Sequence, residues 1–124
     1  MSTGSLEASD AAAAAVQKTP HRVSLDSMNA KIVREIFFTG GEAARAFDAL
    51  TQRDGPLDRD VLDLDVLTIC IVVMQNGFTL IGKSAPADAS NFNAELGRKF
   101  AREDAIRQLW PLEGYALREK LAGL

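Results

Sequence analysis

Four charged residues, Arg98, Lys99, Arg102 and Glu103, crowd one short stretch of the chain. Read as a helix, Lys99 and Glu103 lie four residues apart, inside an arc that also carries Phe92, Leu96, Phe100, Ile106 and Trp110. Arg98 and Arg102 are also four apart and face a different side. An ionisable pair within an apolar arc has to be satisfied by a partner or a ligand, because an unpaired buried charge is costly. The plain alternative is ordinary i,i+4 ion pairing on a helix surface. Tyr115 and Arg118, three apart, put an aromatic ring and a guanidinium on one face. That suits a base and a phosphate, and equally suits helix docking.

No catalytic grammar accompanies these groups. The one histidine, His21, sits at the edge of a polar segment without the partners a metal site or a nucleophile–base set would need, and reads as a solvated surface residue. Cys70 cannot form an internal disulfide and, within an apolar run, reads as a small buried hydrophobe. There is no Gly-rich phosphate loop with its lysine. Asp58, Asp60, Asp63 and Asp65 do not match calcium-loop spacing and read as a solvated acidic face. The expectation is a binding protein and not an enzyme, with no cofactor and no metal.

Composition narrows the setting. A chain of 124 residues with 47% hydrophobic and 25% charged residues is expected to form one globular domain, with residues 1–22 as a flexible tail, holding at most a weak helical turn in its alanines, and 23–124 as the folded part. The formal charge of −3 argues against a binder of long nucleic acid but leaves room for a local basic pocket. No apolar run is long enough to span a bilayer, so no membrane partner is expected. The alanines Ala11–Ala15 lack a preceding basic region, so no signal peptide is expected and the setting reads as cytoplasmic.

The elements that must position the charged groups follow from periodicity. Met28, Ile32, Val33, Ile36 and Phe37 recur at helical spacing, predicting a helix from about Ser27 to Phe38, capped by Asp26 or Ser27 and stopped at Gly40-Gly41. A second helix is expected over Glu42 to about Arg53, with Ala43, Ala44, Phe47 and Leu50 on one side, ended by Gly55-Pro56. Leu57–Asp65 reads either as a lead-in to a strand or as an exposed turn. Val66–Met74 is β-branched and apolar, Asn76-Gly77 favours a two-residue type I′ turn, and Phe78–Gly82 returns, which predicts a β-hairpin. The first strand is apolar on both faces, so helices are expected on one side and helices or a neighbouring subunit on the other. A long helix capped by Ser90 or Asn91 is expected to run to Trp110. Pro111 then opens a last helix to Leu121. The predicted class is α+β: a mostly helical domain with one antiparallel hairpin in the order α-α-β-β-α-α, assembled into an oligomer.

The segments Gln75-Asn76-Gly77-Phe78-Thr79, Gly82-Lys83-Ser84-Ala85, Asn91 to Lys99, Ala101-Arg102-Glu103 and Trp110 to Tyr115 together resemble a family of small tailed-phage accessory proteins. That family includes anti-CBASS sponges, which sequester the cyclic oligonucleotide signals of bacterial immunity. The resemblance covers roughly residues 68–121. It implies a helix–hairpin–helix protomer assembled into a hexamer, with cyclic di- or trinucleotides held between subunits. It also implies an aromatic late in the first helix, Phe37 or Phe38 here, that stacks on a base, and a hairpin lysine that meets the phosphodiester. The position of that lysine, just before Asn76-Gly77, is Gln75 in this chain, which removes a positive charge. A second pocket would draw on Thr79, Tyr115 and Arg118, and residues 39–65 resemble an insertion relative to shorter members. The reading that follows is a non-catalytic sponge. The alternative is a module that inhibits a host protein through its assembled surface. An enzyme that degrades the same signals is the third reading, disfavoured because phosphodiester hydrolysis usually needs a metal or a general base.

Overall fold

A computed structural model, describing residues 5–52 and 59–124, gives an α+β fold around one antiparallel sheet of three strands. The middle strand is β2, Thr68–Met74, flanked by β1, Ile32–Thr39, and β3, Thr79–Ser84. Five helices accompany it among the described residues: α1 Leu6–Ala15, α2 Leu25–Asn29, α3 Gly40–Leu50, α4 Arg59–Leu64 and α5 Ala94–Leu121. A single 3-10 turn, Ala89–Asn91, precedes α5.

Alternation along β2 decides the layers. Thr68, Cys70, Val72 and Met74 are buried beneath α5, and the residues between them face the other way. Their core partners are Leu80 from β3, Met28 from α2, and Ala101, Ala105, Ile106 and Leu109 from α5. The small residues of α5 let it lie close to the sheet, and Gly82 makes the contact possible. A Cβ there would stand 2.0 Å from the carbonyl oxygen of Ala101 and 2.6 Å from the Ala105 nitrogen, so only glycine fits. The helix also seals the free edge of β3: Asp104 accepts from the Lys83 amide at 3.0 Å, and the Gln108 amide donates to the Ile81 carbonyl at 2.8 Å.

The hairpin forms where expected, but its turn differs. Gly77 alone has positive φ (+88°) and donates to the Met74 carbonyl, while Met74 pairs with Phe78. This is a three-residue loop, Gln75-Asn76-Gly77, with glycine in the left-handed position, and not the two-residue type I′ turn.

The largest correction concerns residues 27–38. Their apolar spacing fits a helix, yet the helix is only Leu25–Asn29, capped by Ser24 in a reciprocal box with Ser27, and the chain then becomes β1. Ile32, Val33, Ile36, Phe37 and Phe38 are β-branched or aromatic. Pairing with β2, more than thirty residues later, outweighs their local periodicity. The sheet therefore has three strands, not a lone hairpin. Thr39 caps α3 in a box with Glu42, so that helix starts at Gly40 and not after it. Residues 59–64 are helical, not a strand lead-in or turn. The expected helix end at Arg53 and the Gly55-Pro56 stop lie outside the described residues.

The two expected C-terminal helices are one. Asn93, not Ser90 or Asn91, caps α5, and the helix runs through Pro111 to Leu121. Pro111 has no N–H to donate to the carbonyl four residues back. The helix is nonetheless held on both sides: Trp110 packs on the core, and Glu113 pairs with Lys31 at 2.6 Å. Residues 6–15 are helical as well, where the sequence read a tail with nothing to dock. Leu6 is buried in the main core cluster, and Asp10 ties α1 to Arg22 at 2.6 Å and to the Leu25 amide at 3.2 Å.

Candidate functional site

β1 and β2 end together at Thr39 and Thr68, and the first turn of α5 lies against that end, with Gly97 packed on the Thr68 hydroxyl. The packing gathers residues far apart in sequence. Phe37 and Phe38 from the end of β1, Thr39, Thr68, Phe92 and Arg98 surround a small cavity of about 80 Å³. Three aromatic rings, two hydroxyls and one guanidinium thus meet at one end of the sheet. Arg98 is exposed and has no ion pair among the described residues.

Phe92 also lines a second, larger cavity of about 570 Å³, on the β3 side of α5. Its walls are apolar at Phe92, Leu96 and Phe100, and charged at Lys83, Glu103, Asp104 and Arg107. Asn91, Asn93 and Ser84 add neutral polar groups. The volume falls within the range of small-molecule sites, a few hundred to about a thousand Å³.

The charged groups singled out on α5 have separate fates. Lys99 donates to Glu103 at 2.9 Å and lies 5.8 Å from the centre of the Phe100 ring. Glu103 is nearly buried while Lys99 remains half in solvent, and the bond to Glu103 raises the lysine above its ordinary pKa. The apolar-arc pair is satisfied internally. Arg102 binds Glu35 on β1 at 2.5 Å and Asn29 on α2 at 2.7 Å, so it fastens three elements together. Arg98 alone of the three cations faces a cavity without an ion pair among the described residues.

Gln75, Thr79, Tyr115 and Arg118 are not part of this cluster. Gln75 is exposed in the hairpin loop, its amide donating to the Lys31 carbonyl at 2.8 Å, and Thr79 opens β3 beside it. Tyr115 and Arg118 are exposed on the last turns of α5. With seven residues in β2, the loop and the Phe37–Arg98 cluster stand about 20 Å apart at opposite ends of the sheet. Within one protomer these two sets cannot touch one ligand. The aromatic residues expected late in a helix lie instead at the end of a strand.

Sequence reasoning placed Phe92 in the core arc of the long helix and gave no role to Lys83, Asp104 or Arg107. The missed signal was the cap. Asn93 starts the helix, which leaves Phe92 outside it in extended backbone, where it serves both cavities. Among the described residues no three His, Cys, Asp or Glu side chains gather to hold a metal ion, and no helix is long and apolar enough to cross a membrane. Cys70 is buried in the core, where desolvation, with the Glu35 charge as a smaller cause, pushes its thiol up to about 11.

No curated protein and no solved structure matches the chain. A family model does, over residues 23–121, which takes in every element except α1. The chain belongs to the Phage protein (N4 Gp49/phage Sf6 gene 66) family.

Proposed function

We propose that this phage-family protein acts in the host cytoplasm as an anti-defence sponge, binding cyclic di- or trinucleotide immune signals without hydrolysing them. The observation that carries the reading is the convergence of Phe37, Phe38, Phe92 and Arg98 around one cavity at the end of the sheet. An aromatic face stacks a base of any identity for roughly 1–3 kcal/mol. A guanidinium adds a charge-assisted hydrogen bond to phosphate, roughly 1.5–3 kcal/mol. The small cavity takes no more than the edge of a ring, and the larger one, which shares Phe92 as a wall, has the volume for the remainder of a nucleotide.

Sequestration needs affinity and stoichiometry, not turnover, and this set of groups supplies affinity. Because Gln75 lies at the far end of the sheet, it joins Arg98 at one ligand only if a second copy contributes the loop. That geometry agrees with nucleotides held between subunits. The test is uptake followed by release. Purified protein is incubated with a panel of cyclic di- and trinucleotides, freed of unbound ligand and digested with protease, and the released material is analysed by mass spectrometry. Recovery of an intact cyclic nucleotide, with Arg98→Ala weakening uptake about tenfold or more, is the expected result. A changed nucleotide would mean catalysis. No uptake of any member would remove the sponge reading and leave the host-protein inhibitor.

A further inference from the structure

Two apolar surfaces stay uncovered when the fold is complete, and they meet the cavities only at Phe38 and Lys83 on one margin. The first is the sheet face opposite α5. Strand register sets Ile36, Ile71 and Ile81 side by side there, with Phe38 and Ile69 on one flank and Val73 on the other. Ile81 is 58% exposed, and no helix other than α5 packs broadly on the sheet. A strand apolar on both faces is expected to be covered on both.

The second surface is α3, which is amphipathic but inside out. Gly41 is buried and Ala44, Arg45 and Asp48 are half-buried, whereas Phe47 is 64% and Leu50 84% exposed. Leu62 on α4 is exposed as well. Helices of soluble proteins turn such a stripe toward a core. Together α3 and α4 form an arm between β1 and β2, clamped by Arg45, which grips both oxygens of Asp65 at 2.6 and 2.8 Å.

We propose that the α3–α4 arm of one copy docks on the open sheet face of a second copy, and reciprocally, so that the chain assembles with itself. Helices packed on a sheet face are a standard two-layer solution, and each surface lacks what the other offers. Charge agrees with shape. Residues 39–52 and 59–65 carry five carboxylates against two arginines, one of which, Arg45, is already engaged by Asp65. The open face is flanked by Arg34 and Lys83, whose side chains have no ion-pair partner among the described residues. A two-fold exchange makes each contact twice, which moves two modest patches toward the roughly 800 Å² per partner of a stable interface. Pairing along the β3 edge is closed to a second copy, because Asp104 and Gln108 already occupy it. The variants that test it are separate from the ligand reading, since Ile81, Arg34, Phe47 and Leu50 line neither cavity.

Light scattering on the full chain at micromolar concentration is expected to give a dimer or a hexamer built from such pairs. Ile81→Asp and the double change Phe47→Asp/Leu50→Asp should each give monomers with unchanged far-UV circular dichroism. Mixing the two variants should restore a weaker association, because the mixed pair keeps one of the two contacts, an intact arm on an intact face. Arg34→Glu, a surface change, is the second probe if Ile81→Asp fails to fold, and should also lower assembly. A monomeric wild type, an arm variant that assembles like the wild type, or a face variant that assembles like the wild type would each overturn the proposal.

Discussion

The two faces of the same sheet are built to different rules. Under α5, alternate residues of β2 are sealed by a helix so close that a single added carbon at Gly82 cannot be placed. On the opposite face the intervening isoleucines and valine are equally apolar, but only half-buried, and their neighbour Ile81 is largely in solvent. Hydrophobicity alone therefore does not say which face is the core. What distinguishes them is the partner: Ala101 and Ala105 give α5 a surface shallow enough to reach the strands. One face is completed by its own chain, and the other is left for something else.

The sharpest break of that contrast is Gly82→Val. Overpacking commonly costs 1–3 kcal/mol, and backbone clashes near 2 Å that no rotamer relieves should push the cost to about 3 kcal/mol or more, enough to lower Tm by roughly 10 °C in a domain of this size. A protein that melts normally would show that α5 is not rigidly seated. Next comes the pair Ile106→Ala and Ile81→Ser. Ile106 is fully buried, so its truncation should cost about 2–5 kcal/mol in denaturant unfolding. Ile81→Ser, measured on the monomer, should stay within about 0.5 kcal/mol. Equal losses would mean that the open face is core after all.

How far was this legible beforehand? The two strands of the hairpin and the helix as far as Trp110 were, because β2 and β3 are adjacent in sequence and α5 carries its own periodicity. β1 was not. Ile32–Thr39 satisfies a helical pattern by itself, and only the distant β2 reveals it as a strand. The site suffered the same blindness: Arg98 and the two phenylalanines could be nominated separately, but their meeting depends on that non-local pairing. The opposite error arose at Arg102, where spacing showed a charge on a helix but could not show Glu35 or Asn29 waiting opposite it, whereas the i,i+4 reading of Lys99 and Glu103 holds. Leu6 was overlooked because a single anchoring side chain in an alanine-rich run produces no pattern.

That last point yields a smaller effect. Leu6→Ala should lower stability by about 2 kcal/mol, at the low end for a buried leucine because Leu6 is the one buried residue of α1, and removing residues 1–20 should lower Tm by several degrees. An unchanged melt would return α1 to the status of a free tail. Smallest of all is the acid response. Asp10 and Asp65 are held below the ordinary aspartate pKa, chiefly by hydrogen bonds from Arg22 and Arg45. A carboxylate depressed in the folded state contributes its stability in full above the unfolded value, near pH 4, and loses it as pH falls through the folded value. Melting curves should therefore coincide from pH 7 to about 5 and shift downward only below about 4. Loss already at pH 6 would point to a different group.

The cap on β3 has a consequence for how the molecule breathes. The Lys83 amide is on the edge of the sheet, yet its hydrogen bond goes to Asp104 on α5 and not to another strand. Its exchange with solvent deuterium is therefore governed by the lifting of the helix, whereas the amides shared between β2 and β3 exchange only when the ladder itself opens. A difference between those rates would measure the free energy needed to raise α5 while the sheet stays intact. One backbone proton thus serves as a gauge for partial opening of the core.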